Sequence, residues 1–359
     1  MSAPAVSVIM AVYNGADLIG ETLRSLQAQS FGDFEVIIVD DCSTDDSRAV
    51  VRGFGDARIK LISLPTNQGV VAARNRAVAE ARGRYIAGLD HDDLCLPDRF
   101  ARQVAWLDAN PETVLVGTAA SILEEGVVLP GSLAPVSTPL LIAWLLRIEN
   151  PLVWSSVMMR GDVARQLDPF QRPEMVYAED FDLYHRIARF GAIARIDDEL
   201  MIYRRRTGGI SQRNVDAMTG RGIDILAACY ADALGDDSRE GARAVAELVV
   251  RHVMGQQPVP DRATFQRLGE ALIRLQEDFL TRHAPDPDSL NLIRWETARR
   301  WARIGRIGLR TGQLDLGDAI AVRPDHLGLG YAGIDDLIMS RLVGGARAVQ
   351  RRLAGHAAG

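Results

Sequence analysis

Lysine is almost absent from this chain. Lysine and arginine together number 41 in 359 residues, and a single lysine, Lys60, leaves 40 arginines, a bias that ordinarily reflects genome base composition. Any side chain that meets a phosphate here is therefore expected to be a guanidinium. Cysteine is scarce as well. Cys42, Cys95 and Cys229 lie far apart with no CxxC pair, which excludes a disulfide framework and a structural zinc site. No apolar run approaches the ~18 residues a membrane span needs; the longest lies near "LLIAWLL". No leader-like start is visible, so the sequence predicts a cytoplasmic protein with reduced thiols. A formal net charge of −6 argues against general affinity for nucleic acid. What remains is ordinary globular composition, 47% hydrophobic and 25% charged, with length enough for two or three domains.

The apolar runs set the organisation. "VSVIMAVY" at 6–13 and "FEVIIV" at 34–39 are short and β-branched, as expected of strands covered on both faces. Between them "DLIGETLRSLQAQ" aligns Leu18, Ile19, Thr22, Leu23 and Leu26 on one helical stripe. The alternation continues through "RIKLISL", a helix over "GVVAARNRAVAEARG" and the strand "RYIAGL", which predicts an α/β fold with a mainly parallel sheet. Further on come a helix in "DRFARQVAWLDANP", a strand "TVLVGTAASIL", a helix within "MVYAEDFDLYHRIARFG" and a strand "DELMIYRR". Beyond 214 the pattern turns to long helices without a defensible strand. The division expected is 1–125, 126–213 and an α-helical region 214–359. In the last of these, "LIMSRLVGGARAVQRRL" sets Arg341, Arg347, Arg351 and Arg352 beside an apolar stripe. A membrane-surface helix and an ordinarily packed one both remain open there.

The strand "RYIAGL" runs into Asp90, His91, Asp92 and Asp93, and crowded carboxylates repel one another unless a cation joins them. Ligands of parallel sheets bind outside the carboxyl ends of the strands, where Asp40–Asp41 also fall. Oxygen-only donors suit Mg²⁺ or Mn²⁺ with open positions for phosphates, while a solvated turn is the plain alternative. His91 alone reads as a packing residue.

The linked strings decide further. "VSVIMAVYNGADLIGETLRSLQAQSFGDFEVIIVDDCSTDDS", "NQGVVAARNRAVAEARGRYIAGLDHDDLCLPDRF", "NPLVWSSVMMR", "YAEDFDLYHRIARFG" and "YRRRTGGIS" follow in that order. Over residues 6 to about 213 the chain resembles the family-two, inverting nucleotide-sugar glycosyltransferases of GT-A fold. The resemblance implies a Rossmann-like, mixed sheet flanked by helices, with halves for donor and acceptor. It implies a base pocket from Ala11, Tyr13, Asn14, Asp40 and Asp41, where a carboxylate accepting from uracil N3 favours a UDP- or dTDP-sugar. Arg74 is implied to reach the diphosphate, Asp90 the ribose or a metal-bound water, and Asp92 a divalent Mn²⁺ or Mg²⁺. Asp180 is implied as the base and Glu179 as its acceptor-facing neighbour, although an acid at a helix start also answers the helix dipole. Arg204, Arg206 and Ser211 are implied to close over the diphosphate, or else to form a solvated basic turn.

The sequence departs from the family at Ala11, Cys42 and His91. Trp154, placed by the resemblance at the acceptor pocket, and Arg206 stand where relatives carry histidine. Family habit places such enzymes in bacterial surface polysaccharide or glycolipid assembly, at the inner face of the membrane, acting on saccharides or lipid-linked saccharides. A homodimer and a peripheral membrane contact through the last helices stay open. An inactive, glycosyltransferase-like scaffold is the alternative reading. A signalling receiver lacks its later-strand lysine, and a nucleotidyltransferase lacks its glycine-rich basic loop near "AVYNGAD".

Overall fold

A computed structural model describes residues 3–131, 134, 136–206, 213–250, 261–321 and 337–346. Strands β1 (Val6–Val12), β2 (Phe34–Asp40) and β3 (Ile59–Ser63) alternate with helices α1 (Ala16–Gln27), α2 (Ser47–Gly53) and α3 (Val70–Glu80). Every residue of β1 is buried, as the unbroken apolar run requires of a strand roofed on both faces. Next come β4 (Tyr85–Gly88), β5 (Leu94–Cys95), α4 (Arg99–Ala109), β6 (Thr113–Glu124) and β7 (Val127–Leu129). They are followed by α5 (Pro139–Leu145), β8 (Met158–Arg160), α6 (Gly161–Ala164), α7 (Glu179–Ile187) and β9 (Ala192–Arg205).

The sheet order is β3-β2-β1-β4-β8-β6-β9-β5, with β7 paired to β6. β1 pairs in parallel with β2 and β4, β2 with β3, and β6 with β9. β8 is antiparallel to β4 and β6, β5 to β9, and β7 to β6. The sheet is therefore mixed, as expected, with parallel pairing concentrated in its N-terminal half. α1 presents Ile19, Leu23 and Leu26 to a core that joins β1, β2 and β4 to Phe100, Leu107, Val116 and Met158. The same core thus spans the boundary expected near 125.

The helix expected within 175–191, with Asp180 at its start, is α7; it begins at Glu179, two residues after Tyr177, whose left-handed backbone, φ 76°, no α-helix admits.

The chain divides into two compact units, Met1–Leu146 with Asn150–Ile210, and Arg147–Glu149 with Ser211–Gly359. The described part of the second unit is helical. It comprises α8 (Val215–Leu234), α9 (Ser238–Val250), α10 (Arg262–His283), α11 (Pro287–Thr311), α12 (Leu316–Ala321) and a further helix over 337–346. Phe265 of α10 stacks on Trp301 of α11, ring centroids 4.0 Å apart, and Gln276 donates to Thr297 Oγ1 across the same pair.

Candidate functional site

The loops leaving β1 and β2 are laced together by side chains acting as backbone partners. Asn14, at φ 51°, accepts at Oδ1 from the Thr44 amide (2.8 Å) and donates its own N–H to Ser43 Oγ (3.0 Å). Gly15 N–H donates to Ser47 Oγ and Ala16 N–H to Asp45. Ala11 is buried within β1, whereas the Tyr13 ring is 47% exposed at its end. Asp40 and Asp41 lie at the carboxyl end of β2 but are turned inward. Asp41 accepts the Gln68 and Gly69 amides (2.7 and 2.8 Å) and so pins the start of α3. Asp40 faces the Ser43 amide and Arg48 Nε, 3.7 Å away. Of the expected base pocket, Tyr13 and Asn14 are exposed, while Ala11, Asp40 and Asp41 are buried.

At the end of β4 the acidic residues separate by burial. The Asp90 carboxylate is partly exposed, and its N–H donates to Ser155 Oγ (3.0 Å). His91 packs against Gly15, where a β-carbon would lie 2.3 Å from His91 Cδ2, so a larger residue there would displace the imidazole. Asp92 is half-buried; desolvation raises its carboxyl above the usual range, with Asp90 adding to the rise and His91 and Arg206 opposing it. Asp93 is fully buried and raised further, by desolvation and then by Asp92 and Asp90. It accepts the Arg204 amide (2.8 Å), fixing the end of β9 to the acidic turn. Arg204 completes that staple by donating Nε to the Asp92 carbonyl (2.9 Å) and Nη2 to Glu21 (2.6 Å). Its guanidinium is thus engaged within the protein rather than held open for a phosphate. Arg206 is exposed on the acidic turn, and Ser211 lies outside the described residues.

Arg74 of α3 occupies the centre. It is 5% exposed, donating Nη2 to Asp90 (2.7 Å) and Nη1 to Glu179 (3.0 Å), with its guanidinium 4.5 Å above the Trp154 ring. Burial pulls the guanidinium down, but Asp90 and Glu179 outweigh it and hold it above its ordinary value. The indole also lies against β4; a β-carbon on Gly88 would fall 2.8 Å from it. Arg74 is therefore a buried tie between two carboxylates, and Trp154 is the platform beneath it rather than an open wall.

Asp180 stands at the first turn of α7, where free amide groups favour a carboxylate. It accepts from the Phe181 amide and from Asn150 Nδ2, both at 2.8 Å. Desolvation, with Glu179 adding to it, lifts the Asp180 carboxyl to about 6 against the counter-effects of the Phe181 amide, Arg74 and Asn150. That is the range of a working general base. Tyr184, one turn on, is buried; desolvation first and Asp180 second push its phenol well up. The neighbouring Asp182 is structural, paired with Arg172 and Arg186. Asp90, Glu179, Asp180, Arg74 and Trp154 are thus brought together, while Asn14 and Asp40 meet at Ser43 and Asp41 holds the start of α3. Asn150, Ser155 and Tyr184 were not among the expected site residues, though Asn150 and Ser155 lie in the quoted "NPLVWSS".

Comparison with known proteins bears directly on this arrangement. The signature of glycosyl transferase family 2 matches residues 7–167. The putative glycosyltransferase EpsE of Bacillus subtilis is 33% identical over 195 residues, 53% of this chain and 69% of EpsE. The chain belongs to glycosyl transferase family 2. The succinoglycan biosynthesis protein ExoO of Rhizobium meliloti is 44% identical over 106 residues, only 30% of either chain. WfgD of Escherichia coli, a UDP-Glc:α-D-GlcNAc-diphosphoundecaprenol β-1,3-glucosyltransferase, is 29% identical over 192 residues, 54% of this chain and 73% of WfgD. Among solved structures, Staphylococcus aureus TarS 1–349 with UDP-GlcNAc aligns at TM-score 0.53 and 19% identity, covering 94% of this chain and 90% of that one. The mannosyltransferase PcManGT of Pyrobaculum calidifontis, solved with GDP-Man and Mn²⁺, aligns at 0.51 and 19%, covering 90% and 86%. The fold is shared with these GT-A transferases, and this family member is a glycosyltransferase whose relatives serve polysaccharide synthesis.

Proposed function

We propose that this glycosyltransferase moves one sugar from a UDP- or dTDP-sugar to a hydroxyl of a saccharide or lipid-linked saccharide, with inversion, in surface polysaccharide assembly. The observation that carries the reading is Asp180. A carboxylate held near 6, aimed by Asn150 and the Phe181 amide, is joined through Glu179 and Arg74 to Asp90 at the acidic end of β4. In the step proposed, Asp180 takes the proton of the acceptor hydroxyl, the hydroxyl oxygen bonds to the anomeric carbon, and the bond from that carbon to the diphosphate oxygen breaks. The nucleoside diphosphate leaves with the electron pair. Arg74 holds Asp90 and Glu179 in place, so the donor and acceptor sides keep one spacing.

Among the described residues no three metal-ligating side chains converge. The desolvated Asp92 carboxylate beside Asp90 nonetheless fits a hard dication bound through one or two carboxylates with substrate oxygens completing the shell. Such an ion, when bound, supplies positive charge to the leaving diphosphate. The uridine preference is supported by the donor in WfgD's name and by the exposed Tyr13 ring, which a planar base can cover. Calorimetric titration with UDP, dTDP, GDP and ADP, in Mn²⁺ and again in EDTA, tests it. Metal-dependent binding of UDP or dTDP alone is expected, and binding of none of the four, or of GDP or ADP instead, would overturn the donor reading.

A further inference from the structure

We infer that Arg300 is a positioning residue for catalysis, acting on Asp180 through Glu149 and Asn150, an inference that rests on Asp180 being the base. The chain runs from Leu146 in the first unit through Arg147, Ile148 and Glu149 in the second and returns to the first at Asn150. Both ends of this excursion are fastened to α7 within the first unit. His185 Nε2 meets the Leu146 carbonyl (3.0 Å), and Asn150 Nδ2 donates to Asp180 (2.8 Å).

The three residues between are built into the second unit by ties of their own. Tyr230 of α8 donates its hydroxyl to the Arg147 carbonyl, and Arg147 Nη1 pairs with Asp278 of α10 at 3.4 Å. Ile148 is buried. Arg300 of α11 donates Nε (2.8 Å) and Nη2 to one oxygen of Glu149, and Nη1 to Glu296. The Arg300 and Glu149 side chains are 13% and 19% exposed and Glu296 is fully buried, so these charge-assisted bonds are shielded from water and hold their geometry. Burial alone would pull the Arg300 guanidinium down; Glu149 first and Glu296 second outweigh it and hold it above its ordinary value.

Glu149 directly precedes Asn150, and little slack separates the two. Pro151 follows, and a residue before proline is restricted to extended backbone. Asn150 Oδ1 accepts the Leu152 N–H (3.2 Å), which leaves Nδ2 turned to Asp180. With its backbone range and its amide both held, Asn150 takes its position from the peptide it shares with Glu149. A displacement of Glu149 therefore carries Nδ2 away from Asp180, and the carboxylate that receives the acceptor proton loses the donor that aims it.

A double-mutant cycle on the full chain tests this route, read as kcat for UDP release from the UDP-sugar that the parent turns over fastest. Asn150→Ala and Arg300→Met are each expected to lose about tenfold in kcat with UDP affinity within about twofold of the parent. In the Asn150→Ala background Arg300→Met should lose no more than about twofold further, because the route is already cut. Circular dichroism and melting temperature report folding. If Arg300→Met is not folded, Arg300→Lys, which keeps the charge but not the forked geometry, runs the same cycle with smaller steps. A crystal structure of the folded Arg300 variant reads the route without turnover, and the Asn150–Asp180 bond should be lengthened or lost in it. Losses that multiply in the double variant, a parent-like kcat in the folded Arg300 variant, or an unchanged Asn150–Asp180 bond in its crystal would overturn the inference. Undiminished UDP release by Asp180→Asn would instead remove the base itself, so the two failures are read separately.

Discussion

At the scale of single residues, carboxylates of similar appearance in the sequence part company by environment. Asp180 is raised to about 6 by burial and by Glu179, so its base form is lost as the pH falls through that value. Transfer should therefore decline about tenfold per unit below pH ~5.5 and level off above pH ~7, measured as initial rates at saturating donor. The same shift has a sign for stability. A folded pKa above the unfolded one means that the ionised carboxylate costs stability once the pH exceeds the unfolded value, with the full cost present above about 6. Asp180→Asn should then melt no lower than the parent at pH 8, while losing transfer. Motif spacing marked out Asp90 and Asp92, with Asp180 singled out by the family resemblance alone. It could not tell that Asp93 would be the buried anchor for Arg204, or that Asp41 would spend both oxygens on the amides opening α3, because burial depends on strands distant in sequence.

At the scale of elements, the joint between β4, α3 and the segment around Trp154 governs the site. Gly88 admits the indole, the indole supports Arg74, and Arg74 aligns Asp90 with Glu179. A buried cation–π contact of this kind contributes about 2 kcal/mol. Trp154→Leu should lower kcat roughly tenfold with a smaller effect on donor KM, because the stack orients groups rather than contacting donor. Trp154→Phe should retain most of the rate; the indole N–H has no partner among the described residues, so a phenyl ring forfeits no hydrogen bond. Equal losses in both variants would point to general damage to packing. The β-α-β alternation through β4 was legible from apolar runs, as was the helical texture beyond 214. The three-residue β8, antiparallel between β4 and β6, was not, since so short a strand carries no period of its own. The left-handed turn at Tyr177 was hidden too, since nothing in the residue types there marks it.

For the whole molecule, the two units divide the account. The first, with its mixed sheet, carries the family's signature and every described residue placed in the reaction, and the second is helical where described. No described helix is long and apolar enough to cross a membrane. The central claim is that donor binding and proton removal reside in different carboxylates of the first unit. Its most direct test is UDP affinity in Mn²⁺, by calorimetry, together with UDP release from a panel of UDP-sugars, for the parent, Asp92→Asn and Asp180→Asn. The account predicts that Asp92→Asn loses metal-dependent UDP binding, whereas Asp180→Asn binds UDP within about twofold of the parent and loses at least ~100-fold in UDP release. Equal loss of UDP binding in both variants, or undiminished UDP release by Asp180→Asn, would contradict it.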